Sequence, residues 1–219
     1  MFPKVIDFSQ STFIKGRGML DSILIANELV NEIRRKKNRA IVVKVDFRKA
    51  FDLVSWQFLY YMMGRLGFFS KWIGWVKTYM ESPTLLVLVN GSPTKEFQPK
   101  IGFRQGDPIS PFLFLIVAEG LARMVSQAIQ KNLYKGVKVG SKGIMINLLQ
   151  FIDDTLFLCE PSLENIKVIK TILRCFEEVS SLRVNFHKTI IGRKGIEREE
   201  MEQFSGNENP IQIPQYANR

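Results

Sequence analysis

The stretch LLQFIDDTLFL, residues 148–158, constrains the fold most, because it sets two adjacent carboxylates inside an otherwise apolar run. Removing an ionised carboxylate from water costs roughly several kcal/mol unless a partner compensates its charge. Asp is a common turn residue, so a chain that reverses direction at the pair could keep both acids in water. We therefore predict a β-hairpin with Asp153 and Asp154 at its tip. A divalent cation opposite the two acids is the second explanation, and it implies a binding site.

The segment AIVVKVDF, residues 40–47, alternates apolar and polar side chains with the period of a β-strand. Its apolar side chains share one face: Ile41, Val43, Val45 and Phe47. Lys44 and Asp46 therefore share the other face. If this strand lies beside the hairpin, three carboxylates meet on one side of a sheet. Spacing along the chain does not establish that the strands are neighbours, and a solvated turn remains the alternative for the acidic pair.

Serine caps and apolar periodicity predict the helices. The predicted helices cover residues 19–37, the segment from the Ser55 cap to Gly67, the segment capped by Ser70, residues 110–131 opened by Ser110-Pro111, and a helix beginning at Ser162. The last helix has one apolar face, formed by Ile166, Ile169, Leu173, Phe176 and Val179. Asn90-Gly91 predicts a hairpin turn, and LRVNFHKTIIG, residues 182–192, predicts a final strand. The mixed order of elements indicates an α+β fold, an antiparallel sheet with helices packed on one face.

Charge and residue usage narrow the function classes. The 219 residues include 31 Lys and Arg against 21 Asp and Glu, a net charge of +10. Such an excess favours a polyanionic partner, although solubility alone also explains a basic protein. Cys159 and Cys175 are too few for a disulfide framework or a zinc site. With His187 as the single histidine, a Ser-His-Asp triad or a multi-histidine metal site is disfavoured.

The chain start and its apolar runs favour an intracellular protein, in the nucleus or cytoplasm, that is not secreted. The opening MFPKVIDFSQ lacks the basic start and apolar stretch of a signal peptide. The longest apolar run, FLFLIVA at residues 112–118, is far shorter than the roughly 20 residues that span a bilayer. No basic amphipathic helix stands out, so a membrane-surface role is disfavoured.

A loop with two glycines, GFRQGDPISPFLF at residues 102–114, leads into the helix that begins near Ser110. Its Arg and its flexible backbone could approach a nucleotide phosphate or a base pair closely. The structural alternative is a plain loop that enters a helix.

Four segments closely resemble successive motifs of reverse transcriptases from non-LTR (LINE-type) retrotransposons, particularly those of plant genomes. In chain order they are KVDFRKAFDLVSW, GFRQGDPISPFLFLIVAEGL, LLQFIDDTLFL and VSSLRVNFHKT. QSTFIKGRGMLDSILIANELV is similar to the segment that precedes the first acidic motif. The resemblance covers roughly residues 5 to 195, and the order of several motifs makes it specific.

The resemblance implies a right-hand polymerase palm with partial fingers and no thumb. Residues 1–39 would form the partial fingers and lead-in, residues 40–195 the catalytic palm, and residues 196–219 a loose tail. Asp46 and Asp153 would be the principal metal ligands with Asp154 beside them, holding two Mg²⁺ ions, with Mn²⁺ as a substitute. The implied partners are an RNA template, a DNA primer and dNTPs, and the implied reaction adds a deoxynucleotide to the primer 3′-OH.

Further residues match the family by position. Phe51 matches the aromatic gate that excludes a ribose 2′-OH, although it could also be a core residue. Gln105 and Gly106 match the loop near the nascent base pair. The resemblance also implies that Arg104 contacts the nucleotide and that Lys188 is the basic residue that assists pyrophosphate departure. It implies that Arg17 and Lys49 contact nucleic acid. Arg17, Arg104 and Lys49 could equally be surface charges.

Two departures stand out. Ile152 replaces the small residue usual before the paired acids, and Ser181 replaces a glycine expected after the helix; if that position needs a positive φ, Ser costs about 1 kcal/mol or less. We also expect the Arg-rich fingers segment, the thumb, an endonuclease domain and a zinc knuckle to be missing. The competing hypotheses are a catalytically inert retrotransposon remnant that at most binds nucleic acid non-specifically, and a group II intron maturase-like protein.

Overall fold

The structure, a computed structural model, describes residues 5–10, 12–17, 24, 40–139, 143–186 and 188–194. The predicted helix over residues 19–37 lies outside the described residues apart from Leu24, as do His187 and the predicted loose tail.

Four helices occur in the described part of the chain. They are α1 (Trp56–Arg65), α2 (Ser70–Glu81), α3 (Ser110–Gln130) and α4 (Leu163–Ser180). The side chains of Ser55 and Ser162 accept hydrogen bonds from backbone N–H groups in the first turns of α1 and α4, as predicted. The predicted caps at Ser70 and Ser110 are wrong, because both serines are already helical and Phe69 and Ile109 hold the cap positions.

Ten strands are described. They are β1 (Ala40–Val45), β2 (Phe47–Arg48), β3 (Leu88–Val89), β4 (Ser92–Pro93), β5 (Val137–Val139), β6 (Ile144–Ile146), β7 (Leu148–Phe151), β8 (Asp154–Cys159), β9 (Arg183–Val184) and β10 (Ile190–Lys194). Strands β3 and β4 form the predicted hairpin, with Asn90 and Gly91 both at positive φ. The predicted final strand is wrong as a single strand, because a turn separates β9 from β10.

The central sheet has the order β10-β1-β8-β7, and each neighbouring pair is antiparallel. Strand β1 therefore lies next to β8, which answers the question that spacing left open. A two-stranded pair, β2 with β9, continues from the end of β1. Helices and an antiparallel sheet together make the fold α+β, as predicted.

The main core lies between one face of the sheet and the helices. Ile41, Val43 and Val45 of β1 are fully buried in the same apolar cluster as Leu121 of α3 and Phe176 of α4. The other face carries a smaller cluster of Ala40, Val137 and Leu158. In α4 the predicted apolar face is buried except for Val179, which is exposed, while Ile172 is buried instead. The helices thus cover one face of β1, and Lys44 and Asp46 belong to the other.

Helix α3 is the one described helix that is long and apolar enough, by composition, to cross a membrane. However, 67% of its most apolar 18-residue stretch is buried within the fold. Phe114, Leu115 and Ile116 are almost completely enclosed. This burial is typical of a core helix, as the short apolar run predicted.

Candidate active site

The acidic pair lies at the hairpin between β7 and β8, close to where the sequence predicts it. Ile152 and Asp153 form the two-residue turn, while Asp154 is the first residue of β8 and is paired with Phe151. The prediction of a hairpin tip is confirmed for Asp153 and is one residue out for Asp154. Asp153 is exposed at the tip, and the carboxylate of Asp154 is about half exposed.

The register between β1 and β8 brings Asp46 to this hairpin. Val45 lies opposite Thr155, so one further step along the two antiparallel strands sets Asp46 across from Asp154. Lys44 lies two residues before Asp46 on the same face, and its Nζ forms an ion pair with Asp154 Oδ1 at 3.0 Å. The sheet therefore places Asp46, Lys44 and Asp154 at the end of β1 on the face away from the helices, with Asp153 beside them in the turn.

Electrostatics link the acids. The pKa of Asp153 is raised, first because the surrounding hairpin takes part of the water from its carboxyl group. The negative charges of Asp154 and Asp46 raise it further, while a hydrogen bond to its own backbone and the positive charge of Lys44 oppose the shift. Asp46 and Asp153 are therefore close enough to repel each other electrostatically, and a cation between them would reduce the repulsion.

The carboxylates at the hairpin could bind magnesium, but they do not form a closed site of three ligands. Among the described residues, no three His, Cys, Asp or Glu side chains are arranged to hold a metal ion. Asp154 is engaged by Lys44 at 3.0 Å, and Asp46 Oδ2 accepts a hydrogen bond from Asn185 Nδ2 at 3.2 Å. Mg²⁺ commonly takes one or two carboxylates and completes its shell with water and substrate phosphates. Asp46 and Asp153 fit such an open site better than the three acids fit a closed one.

A pocket of about 500 Å³ opens between the segment after β2 and the loop before α3. Its lining contains every residue that the resemblance assigns to the nucleotide, and also Lys49: the residues are Lys49, Ala50, Phe51, Asp52, Arg104, Gln105, Gly106, Asp107, Pro108, Ser110 and Pro111. Two segments more than fifty residues apart in sequence thus form one concave surface. The acids at the hairpin are not part of this lining.

Phe51 packs against the core and also lines the pocket. Its ring stacks on Phe114 of α3 with centroids 4.9 Å apart and meets the edge of Phe103 at 6.4 Å. The residue is only partly buried, and it also lines the pocket. Two rings therefore support Phe51 from the core side while it contributes to the pocket wall.

Backbone contacts fasten the glycine loop to the segment after β2. Gly102 N donates to Val54 O at 2.8 Å, and Phe103 N donates to Phe51 O at 2.6 Å. Trp56 Nε1 donates to Gly102 O at 2.7 Å. A Cβ on Gly102 would lie 2.3 Å from Asp52 O, and φ there is +81°. Only glycine fits this contact without strain.

Side chains from α2 orient the loop further. Arg104 donates to Tyr79 O at 3.0 Å and its guanidinium lies 5.0 Å from the Tyr79 ring centroid. The Tyr79 hydroxyl donates to the Asp107 carboxylate. Gln105 Nε2 donates to Asp52 Oδ1 at 2.9 Å across the pocket. Tyr79 and Asp107 were not singled out by the sequence, since neither stands out in a helical or loop pattern.

Ser9 and Gln10, near the start of the chain, form hydrogen bonds to the acidic hairpin. Gln150 N donates to Ser9 O at 2.7 Å, and Ile152 N donates to Gln10 Oε1 at 3.4 Å. Ile152 has φ +54°, an unusual conformation for a β-branched residue, and its side chain packs against the main core. A bulky residue at this position therefore serves the core while its backbone is strained.

Arg17 has a structural environment. Its guanidinium donates to the carbonyl oxygens of Ile6, Asp7 and Gln10 at 2.5 to 2.9 Å and lies 4.8 Å from the Phe8 ring centroid. These bonds to backbone carbonyls are contacts within the chain, and the template contact stays a prediction. Lys49 is exposed at the pocket with φ +44°.

Lys188 and Asn185 belong to the turn between β9 and β10. Lys188 is exposed, and its backbone N–H donates to Asn185 O at 3.0 Å. Asn185 N donates to Asp46 O at 2.8 Å, in addition to the side-chain bond. Asn185 received no role from the sequence. Asn is a poor strand former, so its position inside a predicted strand was the available signal that the strand is interrupted.

Comparison with known proteins gives one family. A family profile described as reverse transcriptase (RNA-dependent DNA polymerase) matches residues 1–204. The transposon TX1 uncharacterized 149 kDa protein of Xenopus laevis is 25% identical over 186 residues, which cover 85% of this chain and 14% of that protein. The Pol polyprotein from the type-2 retrotransposable element R2DM of Drosophila melanogaster is 26% identical over 190 residues, covering 86% of this chain and 17% of the polyprotein. The chain spans less than a fifth of either relative.

Solved structures agree on the fold. Apo telomerase from Candida tropicalis, truncated from its C-terminal domain, superposes with a TM-score of 0.60 at 15% identity, covering 83% of this chain and 36% of that one. Telomerase from Candida albicans, in complex with a fragment of telomeric RNA, gives a TM-score of 0.59 at 13% identity, covering 80% and 30%.

Proposed function

We propose that this chain, which belongs to the reverse transcriptase family, catalyses RNA-directed addition of deoxynucleotides to a primer 3′-OH. The chain is a reverse transcriptase domain of the non-LTR retrotransposon type. In this proposal residues 40–195 are the palm, the described part of residues 1–39 belongs to the partial fingers, and the substrates are an RNA template, a DNA primer and dNTPs. The family supports RNA-directed DNA polymerisation in general.

One observation carries the assignment. The register of β1 against β8 brings Asp46 to the hairpin that holds Asp153 and Asp154, on the sheet face away from the helices. Acids from two separate motifs thereby share one site, and the charge of Asp46 raises the pKa of Asp153. A solvated turn explains the acidic pair but not its meeting with Asp46.

In the proposed mechanism, Asp46 and Asp153 would hold two Mg²⁺ ions, or Mn²⁺ in their place, and Asp154 would stay beside them in its ion pair with Lys44. When bound, the ions supply a lower pKa for the primer 3′-hydroxyl and positive charge against the departing pyrophosphate. The primer 3′-hydroxyl would give its proton to water, and its oxygen would form a bond to the α-phosphorus as the bond to pyrophosphate breaks. Lys188, on its exposed turn, is proposed to give a proton to the leaving group.

The 500 Å³ pocket is the proposed nucleotide site. Phe51, fixed by Phe103 and Phe114, would meet the sugar and reject a 2′-hydroxyl by contact. Arg104, oriented by Tyr79, would face phosphate charge. Gln105 and Gly106 would lie against the new base pair, and Lys49 would contact nucleic acid from the pocket rim.

Primer extension on an RNA template with Mg²⁺ tests the proposal. We expect extension by the wild type and a loss of at least about 10²-fold for Asp153→Asn, because one ligand oxygen becomes an amide nitrogen. Glu178→Gln on α4 is the control, since this exposed acid lies in an ion pair with Arg183 away from the site. Equal extension by the wild type and Asp153→Asn, or none by either, would contradict the catalytic proposal.

The inert remnant is the second candidate, and one observation favours it: Asp154 is paired with Lys44, and Asp46 Oδ2 accepts a hydrogen bond from Asn185. It predicts that the +10 charge alone binds nucleic acid. Binding would then be sequence-indifferent and steeply salt-dependent, without dNTP incorporation. Incorporation that Asp153→Asn abolishes would reject this candidate.

A further inference from the structure

We propose that Asn185 is a positioning residue for Asp46, holding its carboxylate in place and joining it to the turn that carries Lys188. The inference rests on the proposed function, because Asp46 matters as a ligand only if the site binds metal. Asn185 lies outside the acidic motifs, and none of the assignments above gives it a role.

Asn185 contacts Asp46 at both its backbone and its side chain. Its N–H donates to Asp46 O at 2.8 Å, and its Nδ2 donates to Asp46 Oδ2 at 3.2 Å. Strand β9 pairs with β2 so that Val184 lies opposite Phe47, which places the following residue, Asn185, opposite Asp46. The side-chain bond occupies one carboxylate oxygen and leaves Oδ1 for a cation. An outer hydrogen bond of this kind fixes a ligand's orientation.

The same residue is the base of the turn that carries Lys188. From Asn185 to Ile190 the chain advances five residues, while its partner strand advances only two, from Asp46 to Lys44. Three extra residues therefore bulge out of the sheet. Asn185 O accepts hydrogen bonds from Lys188 N at 3.0 Å, from Thr189 N at 2.9 Å and from Thr189 Oγ1 at 2.9 Å. One asparagine thus contacts the proposed ligand and closes the turn that presents Lys188.

The backbone bonds alone would serve any residue type at this position. What requires asparagine, or a similar donor, is the bond to Asp46 Oδ2, because a side chain without an N–H cannot make it. A purely structural Asn185 would affect unfolding but not the affinity of Asp46 for a metal. The two roles are therefore separable by measurement.

The test is Mn²⁺ binding, followed by electron paramagnetic resonance on the full chain without nucleic acid. Asn185→Leu keeps the branching and the number of side-chain heavy atoms and removes the donor, and Asn185→Ala is the second variant if the larger leucine folds poorly. Thr189→Val is the matched control: it removes the buried hydroxyl that donates to Asn185 O and leaves the bond between Asn185 and Asp46 intact. Thermal unfolding of each variant is recorded beside the binding curve.

We expect the Mn²⁺ dissociation constant to rise about tenfold in Asn185→Leu, the usual cost of losing an outer hydrogen bond to a ligand. In Thr189→Val it should change less than about twofold. An unchanged constant in both Asn185 variants, an equal rise in Thr189→Val, or a wild type that binds no Mn²⁺ would overturn the inference. If the wild type extends no primer while Asn185→Leu still weakens Mn²⁺ binding, the proposed function fails and this inference stands.

Discussion

The three acids of the candidate site have different surroundings, although two of them are neighbours in sequence. Asp46 accepts a hydrogen bond from Asn185, Asp154 is paired with Lys44, and Asp153 stands at the turn with a raised pKa. The sequence grouped them as one trio, because period and resemblance identify residues and do not show their partners. Lys44 is the residue that distinguishes the two acids of the pair.

Replacing Lys44 should move the acid limb of the pH–rate profile. Partial loss of water around its carboxyl group is the main cause of the raised pKa of Asp153, although the residue is exposed at the turn, and the positive charge of Lys44 counteracts the shift. Lys44→Met removes that charge, so the pKa of Asp153 rises further and the carboxyl group stays protonated, and unable to bind metal, up to a higher pH. The rate of primer extension should therefore begin to fall at a higher pH than in the wild type.

Lys71→Met is the control for that experiment, since Lys71 lies on α2 over the Trp75 ring. Its acid limb should coincide with that of the wild type. An acid limb in Lys44→Met that stays in place, or that moves to lower pH, would contradict the electrostatic account of the hairpin.

Ser181 illustrates a departure that the fold tolerates. It ends α4 at φ +63° and ψ 0°, the left-handed conformation that favours glycine. The sequence predicted a cost if the position needed a positive φ, and the structure has that positive φ.

Ser181→Gly should raise the free energy of unfolding by about 0.5 to 1 kcal/mol, because glycine adopts this conformation without steric cost. Ser82 is the matched position: it follows α2 at φ −71°, so Ser82→Gly gains no relief and should lower the free energy of unfolding by up to about 1 kcal/mol. Urea unfolding of both variants checks the pair. A destabilised Ser181→Gly would show that the serine side chain matters more than the backbone.

At the scale of elements, the pocket depends on how the glycine loop attaches to the chain after β2. Gly102 and Gly106 both have φ +81°, but only Gly102 has a backbone atom in the place of a Cβ. Comparing alanine substitutions at the two glycines therefore distinguishes the cost of the left-handed backbone from the cost of a steric clash.

Gly102→Ala should lower the free energy of unfolding by about 2 kcal/mol or more, since the new methyl group meets Asp52 O in addition to the left-handed strain. Gly106→Ala, with no atom within 4 Å of its Cβ, should cost only about 1 kcal/mol. Denaturant unfolding gives both values. Equal costs would mean that the loop does not lie against the chain at Asp52.

Elements with strong periodicity could be predicted from the sequence, and those shaped by long-range bonds could not. Strand β1 alternates as predicted because one face is buried under helices. The final segment reads as one strand by composition, but Asn185 bonds to Asp46 and breaks it into β9, a turn and β10. Ser110 resembles a cap, yet its hydroxyl donates to Arg104 O and the helix begins at that serine. Asp46 is 139 residues from Asn185, and Arg104 lies in an irregular loop six residues before Ser110. Neither bond follows a helical or strand period, so sequence patterns do not contain them.

The molecule as a whole carries a charge of +10, and the lining of the proposed nucleotide pocket includes Lys49 and Arg104. A template and primer are polyanions, so part of their affinity should come from released counterions. The family resemblance predicted this partner class, and the net charge is consistent with it.

Binding of an RNA–DNA hybrid should weaken steeply with salt. If about six phosphates are contacted, affinity should fall by roughly 10³-fold between 50 and 200 mM salt. Lys49→Gln should reduce the slope of log affinity against log salt by about one, because Lys49 is the pocket residue proposed to contact nucleic acid. Fluorescence anisotropy at several salt concentrations measures both. A slope near zero would contradict the role given to the net charge.

The central claim is that Asp46 and Asp153 are ligands in one metal site. Localised cleavage by Fe²⁺ with ascorbate and peroxide tests it most directly, because hydroxyl radicals cut the backbone near the bound ion. We predict fragments ending near residue 46 and near residue 153 in one protein, both suppressed by excess Mg²⁺ and both lost in Asp153→Asn. Cleavage near only one of the two positions, or cleavage that survives Asp153→Asn, would contradict the claim.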